Sequence, residues 1–248
     1  MPHYDFRTPR VYVAAPLSAG QAVPFDRAQT NYLLNVLRLK LGDGVLLFNG
    51  RDGEWQASLA GTGKRALTAT VGERTREQPL PTDLHFLFAP LKHARLDYLV
   101  QKAVEMGASR LAPIITRHTQ VARVNLERMH ANVIEAVQQC GILAVPEVAE
   151  PRDFETALAD TDRLLVFCDE DAEVKDPVAA LAAVRREGQP LAVLIGPEGG
   201  FAEEERHALL QRPNVVRIAL GPRILRADTA AVAALAVVQA VLGDWRGN

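Results

Sequence analysis

Several things missing from this sequence narrow its function before any motif is considered. It has only two cysteines, Cys140 and Cys168, both in apolar stretches without metal-ligand spacing, which argues against a disulfide framework or a zinc site. No apolar run is long enough to span a bilayer; the longest, Thr229 to Leu242, is too short and carries Gln239. The opening MPHYDFRTPR has no apolar segment of the kind that directs secretion, so a cytoplasmic protein is expected. Internal repeats and low-complexity tracts are also missing. A strong excess of either charge is absent too, since the formal net charge is −2.

What is present is ordinary globular composition, 48% hydrophobic and 23% charged, in a 248-residue chain that can bury a core as one large domain or two. The small net charge hides an asymmetry. Residues 1–130 hold 17 Lys and Arg against 11 Asp and Glu, and residues 131–248 hold 11 against 19. A basic front half and an acidic back half fit separate surfaces for a polyanion and for another ligand, although a chance distribution over solvated faces gives the same counts.

The first 75 or so residues read as β-rich, with runs at Val11–Val13, Gly44–Phe48 and Glu54–Leu59. The dipeptides Asn49-Gly50 and Asp52-Gly53 predict a hairpin between the last two. One helix interrupts them from Asp26 to Arg38, with Ala28, Tyr32, Leu33, Val36 and Leu37 at helical spacing. The pattern suits a small barrel over 1–75, with a polar, proline-bearing linker beginning near Glu73 and assigned to 76–82. From residue 83 to 248 strands and helices alternate, which predicts a largely parallel sheet with its ligand sites beyond the strand carboxyl ends. Strands are expected at Leu84–Ala89, Leu111–Ile115, Leu164–Cys168, Leu191–Ile195 and Val215–Leu220. Among the helices, one carries Leu96, Leu99, Val100, Ala103 and Val104 on one face and closes at Gly107. Another runs from Asn125 to about Cys140. A third opens with Asp176-Pro177 as cap and first residue and ends at Gly188.

Two loops carry the chemistry. Gly196-Pro197-Glu198-Gly199-Gly200 follows a strand directly, and its glycines let backbone groups approach a ligand closely. Glu198 in the loop, and Glu203, Glu204 and Glu205 in the next helical turn, would repel a phosphate. A phosphate-free ligand with an adenosine and a cationic centre fits better, and S-adenosylmethionine answers that description. A plain strand-to-helix turn with a capped helix is the structural alternative. The second loop, LGPRILRADTA from Leu220 to Ala230, feeds the most apolar helix. Asp228 there is read as its N-cap. Arg223 and Arg226 are cations at a strand's carboxyl end, suited to RNA phosphate or to charge developing on a base, or to surface ion pairs.

LIGPEGGF with its acidic helix, then LGPRILRADTA, closely resembles the 16S ribosomal RNA uridine N3-methyltransferases of the SPOUT superfamily. Their pattern is GPEGG followed by LG-x-RILR-x-ETA. VLRLKLGDGVLLFNG and KHARLDYLVQKAVEMGASRLAPIITRHT also look like segments of that family, so the resemblance covers most of the chain. It implies an α/β fold: an N-terminal PUA-like RNA-binding β-barrel and a C-terminal SPOUT domain whose parallel sheet carries a trefoil knot. It also implies a homodimer acting on 16S rRNA within the small ribosomal subunit. The helix Thr229–Leu242, apolar nearly all round, suits cover by both core and partner, or burial within one chain. Three departures stand out. Asp228 replaces the family's Glu. Val137-Gln138-Gln139-Cys140-Gly141-Ile142 lacks the family's Glu and Arg. Asn31-Tyr32 stands where a His is common.

Methylating uridine at N3 removes the imide proton and leaves negative charge on the ring, so the enzyme must align three atoms and offer a donor to the uracil oxygens. Arg226 is expected to be that donor, with Asp228 and Glu198 the carboxylates nearest to accept the proton. Gly196, Glu198, Gly199, Gly200, Leu220, Gly221, Ile224, Leu225 and Thr229 are expected to form the cofactor pocket. RNA contacts are expected from Arg7, Arg10, Arg38 and Lys40 in the first domain, and from Lys92, Arg95, Arg117, Arg123 and Arg223 in the second. No metal is expected. Two other readings stay open: a ribose 2′-O-methyltransferase, which favours a Ser-Leu-Asn final loop absent here, and a non-catalytic RNA-binding assembly factor. A nucleotide-binding dehydrogenase fits poorly with the acidic turn.

Overall fold

The computed structural model describes residues 5, 7–62, 66–92, 94–121, 123–159 and 161–246, so residues 1–4 and 6 of the opening segment lie outside the described residues. The chain divides into two compact units, one of residues 1–80 with 137–145 and one of residues 81–136 with 146–248.

The first unit is built on five strands: β1 (Arg10–Tyr12), β2 (Ala22–Pro24), β3 (Gly44–Phe48), β4 (Glu54–Gly61) and β5 (Leu67–Arg76). Their order is β1-β3-β4-β5-β2, with β1 parallel to β3 and the other pairs antiparallel. The expected hairpin joins β3 to β4. Asn49 Oδ1 accepts from the N–H groups of Arg51 and Asp52, and Gly53 at φ +82° leaves no room for a side chain, since a Cβ would meet the Arg76 carbonyl at 2.3 Å. Alternate residues Val45 and Leu47, Ala57 and Leu59, and Leu67, Ala69 and Val71 point into one core. Strand β5 was not expected: small Ala and Thr residues dilute its alternation, and Glu73 to Arg76, read as linker, continue it. The expected helix is capped by Asp26, whose side chain accepts from Gln29 N–H while Gln29 reaches back. After α1 (Arg27–Asn31) it widens into a π-helical turn over Tyr32–Val36, which buries Leu33.

The second unit holds β6 (Leu84–Phe88), β7 (Arg110–Ile115), β8 (Glu147–Val148), β9 (Arg152–Asp153), β10 (Leu164–Cys168), β11 (Leu191–Ile195) and β12 (Val215–Ile218). The main order is β12-β10-β11-β6-β7-β8, and β9 also pairs with β7; every pair is parallel. All five residues of β11 are buried, as a central strand covered on both faces requires. The helices are α2 (Ala94–Glu105), α3 (Leu126–Cys140), whose last residues from Val137 belong to the first unit, α4 (Phe154–Ala159), α5 (Pro177–Ala183), α6 (Glu203–Leu210) and α7 (Ala227–Val241). On one face Phe154 and Leu158 of α4 and Leu209 of α6 pack on Leu87, Ile114, Leu165, Phe167 and Leu194. Helix α7 packs on β11, α2 and α5.

Asp176 caps α5 as expected, accepting from Val178 and Ala179 N–H with Pro177 at the first position. That helix stops at Ala183, five residues before Gly188, which instead turns at φ +67°. Strands β8 and β9 and helix α4 were not expected; two-residue strands carry too few positions to show a period. Gln239, the polar residue in the apolar helix, is buried. Its Nε2 donates to the Met106 carbonyl at 2.8 Å and its Oε1 accepts from Asp244 N–H at 3.1 Å. Among the described residues no helix is long and apolar enough to cross a membrane.

Candidate active site

Because the second sheet is parallel, the segments leaving its strands gather at one edge. Strand β10 lies between β11 and β12, so three loops meet there: 169–176 after β10, 196–202 after β11 and 219–226 after β12. The two glycine loops singled out in sequence are thus brought to the same edge, with a third between them that sequence reasoning missed.

The Gly196–Gly200 loop is held from both sides. Phe201 turns inward against Phe154 and Phe167, with ring centroids 5.9 and 5.4 Å away. Its ring lies so close to Gly196 that a Cβ there would stand 2.7 Å from it. On the outer side, His118 Nδ1 lies 3.1 Å from both the Gly199 and Gly200 carbonyls, so the Nδ1–H tautomer donates to the loop. Helix α6 starts with a carboxylate cap: Glu205 Oε2 accepts from Ala202 N–H and its Oε1 from Arg117 N–H. Three acidic residues fill that first turn, which complements the helix dipole and disfavours an anion.

The loop between is anchored by Asp169. Its side chain is 4% exposed, and Oδ2 accepts from Arg206 Nη2 at 3.1 Å and from Arg217 Nε at 2.9 Å, tying α6 and β12 to the end of β10. Burial pushes the adjacent Cys168 thiol up to about 12, so it supplies no thiolate.

After β12, Gly221 takes φ +92°, and neither it nor Gly200 has an atom within 4 Å of an added Cβ, so open space faces both. Leu220 and Leu225 are half-buried, Gly221, Arg223, Arg226 and Thr229 are exposed, and Ile224 is 93% exposed. Arg226, not Asp228, is the N-cap residue of α7: it has extended backbone angles, and its carbonyl accepts from Ala230 N–H. Asp228 sits inside the first turn, half-buried, with Oδ1 taking the Thr229 N–H at 2.9 Å. The capping role read from sequence is therefore corrected by two residues, and Arg226 stands at the helix start with its side chain exposed.

The basic candidates divide. Lys92 and Arg95 follow β6, and Arg117 and Arg123 follow β7, so all four share the loop edge. Lys92 and Arg123 line one cavity of about 440 Å³ with Leu96, Gln120 and Asn125. Arg95 lies 3.6 Å from Glu198, so a presumed RNA contact and a presumed cofactor contact meet each other; both are partly exposed, and the pair is weak. In the first unit Arg7, Arg38 and Lys40 are exposed, and Arg38 holds φ +60°, the one positive value at a non-glycine among the described residues. Arg10 does not belong with them. It is 9% exposed and its Nε donates to Glu54 at 2.7 Å, so it is a structural arginine that cannot reach a phosphate.

Gly200 and Gly221 face open space at this edge, beside a helical turn of three glutamates. Comparison with known proteins then identifies the lineage. Residues 78–239 match the profile described as an RNA methyltransferase domain, and residues 25–72 match that of an RNA methyltransferase PUA domain. The ribosomal RNA small subunit methyltransferase E of Rickettsia conorii is 30% identical over 231 residues, covering 93% of this chain and 94% of that protein. The chain belongs to the ribosomal RNA small subunit methyltransferase E family. The member from Synechocystis sp. is 31% identical over 94% of this chain and 78% of its own length. The crystal structure of methyltransferase E from Neisseria gonorrhoeae bound to S-adenosyl methionine superposes with a TM-score of 0.85 at 29% identity, covering 96% of this chain and all of that one. Against the methyltransferase E pattern, the change to Gln138 keeps an acceptor, since its Oε1 takes the Tyr12 N–H at 2.8 Å. His118 falls within the family-like segment KHARLDYLVQKAVEMGASRLAPIITRHT but sequence reasoning assigns it no role there, and Asp169 lies in no motif and carries no signal beyond being a polar residue after a strand.

Proposed function

We propose that this chain is a cytoplasmic S-adenosylmethionine-dependent methyltransferase acting on N3 of a uridine in 16S ribosomal RNA within the small subunit. The observation that carries the reading is the meeting of both glycine loops at one edge of the parallel sheet. Gly196, Glu198, Gly199, Gly200, Leu220, Gly221, Ile224, Leu225 and Thr229 would hold the cofactor there, mostly through backbone groups. Bound in that crevice, S-adenosylmethionine supplies an electrophilic methyl on a sulfonium. The surrounding carboxylates favour that cation and reject phosphate-bearing cofactors.

On this reading Arg226 reaches over the crevice mouth and donates to a uracil oxygen as the imide proton leaves, stabilising the charge that develops on the ring. Asp228 and Glu198 are the candidate acceptors of that proton. Glu198 is free to act only when it leaves Arg95. Exposed Arg7, Arg38, Lys40, Lys92, Arg117, Arg123 and Arg223 would hold RNA phosphates and set position, not sequence. The SPOUT reading over 83–248 carries a trefoil knot, and the first 75 residues form a PUA-like barrel. Val232, Ala233, Ala236 and Val237 of α7 are only half-buried, an apolar face suited to a second copy in a homodimer.

Calorimetry with S-adenosylmethionine, followed by nucleoside mass spectrometry of small-subunit RNA from cells with and without the protein, tests this. Cofactor heat and loss of 3-methyluridine are expected. Cofactor heat without any change in that nucleoside overturns the substrate, and no heat overturns the enzyme reading in favour of an assembly factor.

A further inference from the structure

The amino-terminal edge of the same sheet carries a second concavity that the methyltransferase reading does not use. It has a volume of about 370 Å³ and lies entirely within the second unit, over β6, β7 and the end of α4. Its floor is apolar, from Leu87, Ala112 and Ile114, and its polar wall is His85, Arg110, Thr161 and Arg163. These residues open their strands where the glycine loops close them, so a strand length of about 15 Å separates the two sites.

Three features of this wall point to an anionic ligand. Thr161 Oγ1 is buried and has no hydrogen-bond partner, a cost that a ligand oxygen would remove. Arg110 and Arg163 line the crevice, each paired with a carboxylate at its rim, and Arg163 Nη1 also donates to the Asp83 backbone carbonyl at 3.4 Å. Glu147, 3.4 Å from Arg110, is 59% exposed, and Asp83, paired with Arg163, is 60% exposed. The Arg110 pair, the more exposed of the two, is weak and exchanges readily. The half-buried imidazole of His85 feels both arginines. Its pKa is lowered to about 4, first by desolvation and then by Arg163 and Arg110, against which Asp83 acts least. Glu150 and Arg152 also line the crevice and offset each other in sign.

We propose that this crevice is a phosphate-binding site, in which Arg110 and Arg163 grip the anionic oxygens and Thr161 donates its hydroxyl proton. Neutral His85 adds a ring N–H to the same group. The phosphate is either the monoester of a free nucleotide or a backbone phosphodiester of RNA lying across the second unit. The site stands whether or not the opposite edge methylates.

The test follows the His85 ring by NMR through an acid titration, in inorganic sulfate against chloride at matched ionic strength. Sulfate is expected to raise the His85 midpoint by about one unit or more, because a bound dianion favours the imidazolium. Arg163→Gln changes the baseline by itself, so the sulfate-minus-chloride difference is what counts. That difference should vanish in Arg163→Gln and in Arg110→Gln, the second of which loses only a pair with exposed Glu147 and keeps the fold. At neutral pH, displacement of sulfate by uridine 5′-monophosphate but not by an oligoribonucleotide lacking a terminal phosphate assigns the monoester. The reverse assigns the backbone. A midpoint unmoved in the wild type, a shift that survives both substitutions, or sulfate displaced by neither competitor overturns the proposal.

Discussion

The two edges of the seven-stranded sheet both present arginines, in opposite circumstances. At the carboxyl edge Arg223 and Arg226 stand exposed on a glycine-bearing loop. At the amino edge Arg110 and Arg163 flank a half-buried crevice with an apolar floor and a neutral histidine. On the proposed reading, the first setting leaves a cation free to meet charge that appears during a reaction, and the second holds two arginines ready for an anion already charged.

The largest effect expected from breaking this contrast is at Arg226. Arg226→Ala should lower turnover about a hundredfold or more, the cost of losing one preorganised donor, while calorimetric affinity for S-adenosylmethionine stays near wild type. Equal losses in both would show a cofactor-holding residue instead. Next in size is Asp169→Ala, which leaves Arg206 and Arg217 facing a vacated buried position. Chemical denaturation should register about 3 kcal/mol of lost stability, and a change within error would mean the arginines find other partners. His118→Ala removes the donor shared by the Gly199 and Gly200 carbonyls. About 1 kcal/mol, close to fivefold in cofactor affinity, should go with it, and His118→Asn should restore part. Unchanged affinity in both variants would make the contact incidental.

The smallest effect belongs to the amino edge. His85 has a folded pKa of about 4 against an ordinary 6.5, so the unfolded chain binds the proton more readily. Its contribution is constant above pH 6.5, and stability falls as pH drops from there toward 4. Thermal midpoints of His85→Gln across that window should fall less steeply than wild type. Parallel curves would place the titration elsewhere.

Much of this architecture is legible from residue order because it rests on local rules. The strand LAVLI is buried on both faces and reads as an unbroken apolar run. Asn49 to Gly53 spells a turn, and Asp176-Pro177 spells a helix start. What fails does so where the cause is distant in sequence. Strand β5 alternates with residues too small to stand out, and its polar end is held by pairing with β4. Arg10 looks like any surface cation until Glu54, forty-four positions away, closes on it in the core.

Taken alone, the order of amino acids determined the β-rich start, the parallel α/β remainder, the two glycine turns and the charge around them, since each depends on neighbours within a few residues. Only the tertiary structure decided that a third loop lies between those turns, that His118 and Asp169 brace them, and that His85, Arg110, Thr161 and Arg163 enclose one crevice. Parallel pairing joins strands separated by whole helices, so the groups it assembles share an edge in space without sharing a stretch of chain.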